Sequence, residues 1–432
     1  MNRRLWILAV LFACVALSAC TEEQNDPTAE VVTVRSEQQR ELSPNASDAE
    51  MLELSAGNNA FAFDFYHQLA SSEGNLFYSP YSISLALSMT WAGAAGNTAS
   101  QMAEVLNFTL TEDRHHNAFN QLDLALESRG AGAQGADGGG FRLKITNALW
   151  GQQGYAFEMP FLDTLGLNYG AGMTVLDFAN EPDPSRLIIN DWVAAQTEDR
   201  IKDLLPEGSI HELTRLVLTN AIYFNAAWAT PFEKDNTAAA PFTTPSGPVN
   251  VEMMNQTEYF SFYQGNGYMA AALPYDGDEL EMLVVLPEEG SFATVEGSLS
   301  SALLDEIVAG RSSQRLDVAL PKFRIEGESI KLNDQLKAMG MTDAFEGALA
   351  DFSRMLSPEI DSLYIGGVIH KAFVEVTEAG TEAAAATAVI LDGRTSIEPD
   401  PISFHADRPF MFLIRDRETN AVLFVGRVLD PR

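Results

Sequence analysis

The sequence predicts an α+β domain in which helices surround large, mainly antiparallel β-sheets. Segments with apolar residues at helical spacing concentrate before about residue 130, whereas later segments are short and rich in β-branched and aromatic residues. From Met51 to Arg432 apolar segments recur with no long polar break and no visible internal repeat, which argues for one large domain. Helices first and strands later, interleaved in places, is the order of an α+β architecture.

The amino terminus reads as an address. Arg3 and Arg4 precede an apolar run, Leu5 to Leu17, that is too short to span a bilayer, which takes about 20 helical residues. Ser18 and Ala19 follow, then Cys20, completing the three-part layout of a secretory signal over residues 1–19. Leu17-Ser18-Ala19-Cys20 also resembles the bacterial lipobox, after which the cysteine receives lipid. The alternative is an ordinary signal with an incidental cysteine, but a cysteine at the expected cut followed by polar residues favours lipidation. Thr21, rather than Asp, follows the cysteine, and by resemblance to enterobacterial sorting this points to the outer membrane. Residues 20–49 are polar, contain no aromatic residue and are expected to form a flexible tether. The domain then occupies residues 50–432.

Three early helices are expected. Asn58 to Leu69 and Tyr81 to Ala92 carry apolar residues at helical spacing, and Ser79-Pro80 suits a helix entrance. Thr111 to Ser128 is a third, amphipathic candidate. The expected strands are Leu216 to Phe224, Leu280 to Leu286, Gly367 to Val376, Phe410 to Ile414 and Ala421 to Val428, the last two forming a hairpin.

Composition excludes several functions. Acidic residues number 60 against 27 basic, a net charge of -33 that repels phosphate backbones and anionic lipid. Cys14 and Cys20 are the only cysteines, so no disulfide scaffold or cysteine zinc site can be built. The six histidines show no metal-binding spacing, and the neighbours His115 and His116 would diverge on a helix. No metal or other cofactor is expected. Gly130-Ala-Gly132-Ala-Gln-Gly135 matches the dinucleotide fingerprint G-x-G-x-x-G, but a polar helix rather than a strand precedes it, so the match reads as chance within a flexible loop. No G-x-S-x-G elbow carries a nucleophile. Trp91, Trp150, Trp192 and Trp228 sit in apolar contexts and read as packing residues.

The informative segment runs from Glu375 to Thr395. By propensity Glu382 to Ala388 is a helix former, since alanine leads the scale. An expected strand leads directly into it, however, and a two-residue period places Glu382, Asp392 and Arg394 on one face. The other face, Thr381, Ala383, Ala385, Thr387, Val389, Leu391 and Gly393, is uncharged and small at its leading end. Such a strip can be an exposed loop and can also slide between two strands without burying a bare charge. That double compatibility is what a metastable switch needs.

Glu378-Ala-Gly-Thr-Glu-Ala-Ala-Ala-Ala-Thr387 closely resembles the hinge of inhibitory serpins, and the resemblance extends over nearly the whole domain. Ser79-Pro80-Tyr81-Ser82-Ile83 resembles the start of the family's shutter helix. Thr219-Asn220-Ala221-Ile222-Tyr223-Phe224, with Trp228 and Pro231-Phe232, resembles the strand that enters the breach. Leu320-Pro321-Lys322-Phe323, Ile369-His370-Lys371-Ala372, Ala406-Asp407-Arg408-Pro409-Phe410 and Leu423-Phe424-Val425-Gly426-Arg427 match further blocks.

The resemblance implies a serpin fold with an exposed reactive loop at about residues 378–400, and a protease inhibitor rather than an enzyme. In that family a protease cleaves the loop, and the freed hinge inserts as a new strand into the central sheet while the acyl-enzyme is still attached. Roughly ten to fifteen new backbone hydrogen bonds at about 1 kcal/mol each would drive insertion. The hinge would comprise Glu378, Gly380, Thr381, Glu382, Ala383, Ala384, Ala385, Ala386 and Thr387. Counting fifteen residues from Gly380 places the scissile bond at Arg394–Thr395, a site for a trypsin-like protease. Glu378 and Lys322 resemble an ion pair that braces the loop base, and Ser79, Ser82, Asn220 and His370 resemble the polar shutter. The expected partners are a trypsin-like serine protease, held as a covalent acyl complex, and a membrane through lipid on Cys20; the chain is expected to be monomeric. Arg-preferring cysteine proteases would be served by the same loop, and a non-inhibitory binding role is the further alternative. The Thr111–Ser128 helix carries only Arg114 among several acids, with Arg129 just beyond it, so heparin-type activation is not expected.

Overall fold

Residues 32–357, 359–360, 362–381 and 400–432 are described in the computed structural model. The signal, Cys20, Glu382 to Thr387 of the hinge and the Arg394–Thr395 bond lie outside the described residues. In chain order the first part contains β1 (Val32–Val34), α1 (Asp48–Leu69), β2 (Leu76–Tyr78), α2 (Pro80–Trp91), α3 (Gly96–Val105), α4 (Glu112–Glu127), β3 (Arg142–Gln152), α5 (Met159–Tyr169), β4 (Met173–Leu176), α6 (Pro182–Gln196) and β5 (Leu216–Ala227). There follow β6 (Ala238–Thr244), β7 (Gly247–Gln264), β8 (Tyr268–Pro274), β9 (Leu280–Pro287), α7 (Phe292–Glu296), α8 (Ser301–Gly310), β10 (Ser312–Pro321), β11 (Phe323–Glu326), β12 (Ile330–Lys331) and α9 (Asn333–Met339). The last elements are β13 (Gly367–Thr377), β14 (Gly380–Thr381), β15 (Ile402–His405), β16 (Phe410–Asp416) and β17 (Val422–Val428).

The strands form two sheets, as an α+β fold with large mixed sheets requires. The first runs β1-β4-β3-β5-β14-β13-β11, with β12 also on β13; the second runs β15-β10-β7-β8-β9-β16-β17-β2, with β6 on β7. Pairing is mostly antiparallel, and β16 and β17 form the expected hairpin. Between the sheets lies α2, apolar in character and buried at every position, so packing rather than amphipathicity holds it. Ser79 caps it by accepting from the Ser82 amide, and Pro80 occupies the first turn, where a missing N–H costs nothing. Phe77 of β2 stacks on Phe424 of β17 at 5.0 Å and on Phe412 of β16 at 5.8 Å, tying the second sheet together beside that helix.

Two expectations about the amino-terminal part need correction. The first helix begins at Asp48, not Asn58, because Ser47 and Glu50 form a capping box: the Glu50 amide donates to Ser47 Oγ at 3.3 Å, and the Ser47 amide donates to the Glu50 carboxylate at 2.8 Å. The tether expected over residues 20–49 is not free from Val32 onward. β1 pairs antiparallel with β4, Val32 opposite Val175 and Val34 opposite Met173. Beyond it, the Glu41 amide donates to Leu167 O of α5 at 2.9 Å. Arg40 donates to Asn120 at 2.8 Å, Asp123 at 2.6 Å and Glu127 at 2.9 Å, all on α4. This strap is ordered chiefly by backbone pairing and hydrogen bonds to distant residues, with only Val34 and Ala46 packing on the core, so its polar composition gave no sign of it.

Arg40 and Asp123 are both largely buried. Truncating the arginine leaves the carboxylate without its cation, the costly way to break a buried pair. Arg40→Ala is expected to lower unfolding free energy by about 3 kcal/mol, read from the shift of the urea midpoint at unchanged slope.

Candidate functional site

The site lies along the seam between β5 and β13. These strands run parallel and pair directly from Val217 opposite Gly367 to Ile222 opposite Ala372. Beyond Ala372 they no longer pair with each other, and β14 fills the gap. After the turn at Glu378-Ala379 the chain reverses, so that Thr381 faces Val376 of β13 and Ala226 of β5, and Gly380 faces Thr377 and Ala227. The first residues of the expected hinge are therefore already a strand antiparallel to both neighbours. Gly380 is required: its φ is +149°, and a Cβ there would lie 2.1 Å from Ala226 O. Thr381 is fully buried, and its hydroxyl meets Tyr275 Oη at 2.8 Å.

Aromatic and charged groups brace this end of the seam. Trp228 stacks on Tyr275 at 4.7 Å with an 8° interplanar angle. Its indole N–H donates to Thr377 O at 3.0 Å, and its amide donates to Ala379 O at 2.9 Å. Burial pushes the Tyr275 phenol up, so it stays neutral. Glu378 accepts from Thr237 Oγ1 at 2.9 Å and lies 3.4 Å from Lys322 Nζ. Burial raises the Glu378 carboxyl, but hydrogen bonds from its own backbone and Thr237, with the Lys322 charge, outweigh burial and hold it below the ordinary carboxylate value. Lys322 also reaches Glu252 at 3.2 Å and so bridges two carboxylates.

A second cluster crosses the closed part of the seam. His370 on β13 lies opposite Asn220 on β5, and its Nδ1 bonds Asn220 Oδ1. Its Nε2 accepts from the Ser79 amide at 3.2 Å. Both bonds are satisfied only by a neutral ring protonated at Nδ1. Burial pushes the His370 pKa down to about 3. Asn220 Nδ2 donates to Ser82 Oγ and to Asn147 Oδ1, each at 2.5 Å, and Ser79 Oγ donates to Leu423 O of β17 at 2.7 Å. One hydrogen-bonded cluster thus joins α2, β3, β5, β13 and β17; Ser79, Ser82, Asn220 and His370 are fully buried in it, and Asn147 is half-buried.

The structure places Trp228, Lys322, Glu378, Gly380 and Thr381 together at one end of the seam, and Ser79, Ser82, Asn220 and His370 together along its closed part. Arg394, Thr395 and Cys20 lie outside the described residues. Sequence reasoning missed Asn147, Tyr275, Thr237 and Glu252. A signal existed for the first: Thr146-Asn147-Ala148-Leu149-Trp150 echoes Thr219-Asn220-Ala221-Ile222-Tyr223, and the two asparagines lie opposite each other across β3 and β5. Tyr275, Thr237 and Glu252 carry no local mark.

Comparison with known proteins agrees with this geometry. The family described as Serpin (serine protease inhibitor) matches residues 56–431. An uncharacterised serpin-like protein of Thermococcus kodakarensis is 42% identical over 375 residues, covering 87% of this chain and 85% of that protein. Antithrombin-III of Mus musculus is 39% identical over 398 residues, covering 90% and 84% respectively. Among solved structures, the thermophilic serpin tengpin in its native state superposes with a TM-score of 0.81 at 26% identity, covering 93% of this chain and 99% of tengpin.

The neutral histidine gives a pH dependence. Above the ordinary histidine value of about 6.5 both folded and unfolded states are neutral, and stability is complete. As pH falls from about 6.5 toward 3, the unfolded chain takes a proton that His370 in the native state refuses, so stability drops by about 1.4 kcal/mol per pH unit for this residue. His116, buried and also pushed down to about 3, adds a like term. Denaturant midpoints measured from pH 8 to pH 4 are expected to fall in this window. His370→Gln is expected to cost about 2 kcal/mol at pH 8 and to shallow the fall.

Proposed function

The chain belongs to the serpin family of serine protease inhibitors, and from that premise we propose that it is a suicide inhibitor of trypsin-like serine proteases, cleaved at Arg394–Thr395. The observation that carries this reading is the seating of Gly380–Thr381 between β5 and β13 as the first rung of an antiparallel strand. The residues that follow in sequence, Glu382 to Thr387, are small along the face that alternation would turn inward, so continued insertion would meet neither bulk nor a bare charge. The first further rungs would give partners to β5 and β13 where they do not pair with each other, and deeper ones would replace each parallel pairing by two antiparallel ones, parallel pairing being slightly the weaker per residue. A protease that opens the loop while still bound as an acyl-enzyme would be carried along as the strand advances. Arg394 supplies the side chain that an S1 pocket with a buried Asp selects.

The same reading places the protein on the outer membrane of a bacterial envelope, through lipid on Cys20. The support is the Leu17-Ser18-Ala19-Cys20 sequence behind a short apolar run. Mass analysis of the amino-terminal peptide from detergent-extracted protein tests it: a diacylglyceryl adduct on Cys20 is expected, and an unmodified cysteine or cleavage elsewhere refutes it.

Incubation of the purified domain with trypsin is expected to give a covalent complex that survives denaturing electrophoresis, with a released peptide beginning at Thr395. Arg394→Ala should slow trypsin inhibition by at least about 100-fold. Thr381→Arg would place an unpaired guanidinium in a fully buried rung, so cleavage should continue while the complex disappears. Cleavage of the unaltered protein with neither complex nor gain in thermal stability would instead favour a non-inhibitory role.

A further inference from the structure

The glycine-rich segment Gly130–Gly140, which binds no nucleotide on this reading, has a defined place in the fold. It is not the flexible loop that its composition suggests. The amides of Gly130, Gln134 and Ala136 donate to Glu279 Oε2 at 2.7 Å, Asp276 Oδ2 at 2.8 Å and Asn225 Oδ1 at 2.8 Å. Gly135 bonds Gly139 across the loop at 2.7 Å, and Ala133 and Ala136 are buried. A Cβ on Gly135 would lie 2.4 Å from Asn225 Oδ1 and 2.7 Å from Gly140 O, so this close approach admits only glycine.

The loop meets the strand that receives the hinge. The ladder between β3 and β5 ends at Arg142 opposite Asn225, so β3 offers no partner to the last residues of β5. There the loop takes over: the Ala227 amide donates to Gln134 O at 3.0 Å. Ala227 O in turn accepts from the Asp276 amide at 2.8 Å. On their opposite edge, Ala226 and Ala227 pair with Thr381 and Gly380. The rung on which insertion begins is therefore held on one side by the hinge and on the other by the glycine loop, with Asp276 gripping both the loop and Ala227.

We propose that the Gly130–Gly140 loop is a positioning element for hinge insertion: by holding Ala227 where β3 has ended, it keeps the head of β5 ready to receive the strand. This deepens the inhibitory reading and rests on it. A trapped acyl-enzyme requires insertion to outrun hydrolysis of the acyl bond. A frayed Ala226–Ala227 rung must be reordered before the strand can advance, which slows insertion and leaves the initial cleavage untouched. Asp276 and Asn225 are the positioning residues.

The test compares Asp276→Ala, which removes the acceptor for Gln134, with Asp276→Asn, which keeps one, and with Gly135→Ala, which forces the loop off Asn225. In the uncleaved protein, amide hydrogen exchange at Ala227 and Thr381 is expected to quicken about fivefold in Asp276→Ala and in Gly135→Ala, the equivalent of one lost hydrogen bond. With trypsin, more inhibitor molecules should be consumed per protease inactivated, at an unchanged rate of first cleavage, and Asp276→Asn should restore the unaltered value. A general loss of stability would instead lower the thermal midpoint without moving that ratio. Unchanged exchange at Ala227, or an unchanged ratio in a protein that does form the complex, overturns the proposal alone. Absence of any complex from the unaltered protein overturns the inhibitory reading, and this inference with it.

Discussion

Everything distinctive in this fold depends on one seam. β5 and β13 lie side by side in parallel along Val217–Ile222 and Gly367–Ala372, yet at their head they admit β14, antiparallel to both. A two-residue strand gains little alone, since strands draw their stability from continuous ladders. Its position matters more. The seam holds a shorter pairing than the chain can make, and the sequence after Thr381 has the alternation to extend it. The native state would then persist because opening the seam is slow, as kinetic stability requires.

The polar cluster under the seam would supply such a barrier. Asn220 uses both amide hydrogens and its carbonyl oxygen, and the bond to His370 crosses the line along which the strands would part. Separating the strands strips these partners before new ones are in reach, and an unsatisfied buried group costs about 1–3 kcal/mol. The neutral imidazole is part of the same arrangement, because a second ring proton would point at the Ser79 amide. The helix cap and the seam therefore share an atom group: Ser79 caps α2 through its hydroxyl and meets His370 through its amide.

The head of the seam is braced differently. There the restraints are the Trp228–Tyr275 stack, the Glu378–Lys322 pair and the glycine loop on Ala227, each reaching from a different part of the chain. The amino-terminal strap acts on the far edge of the same sheet. β1 covers the edge of β4, which would otherwise expose unpaired backbone groups, and Arg40 ties that edge to α4. One sheet is thus finished at its edge, closed along its middle and poised at its head.

The sequence by itself determined the local elements and the alternating pattern of the segment after Gly380. Helical spacing placed α2 and α4, β-branched runs placed β5, β13 and the β16–β17 hairpin, and two-residue alternation after Gly380 exposed a strip able to live both outside and inside a sheet. These are properties of windows of ten to twenty residues, where periodicity and propensity act. Only the tertiary structure decided which distant groups complete the site. Asn147, Tyr275 and Thr237 join it through strand register and stacking, and the strap is ordered by Arg40 bonding residues on α4. Such partners lie far apart in the chain, and a hydrogen bond between them depends on a register that no local window contains. The glycine loop marks the divide: its composition announced freedom, and its three side-chain acceptors, all brought from elsewhere, took that freedom away.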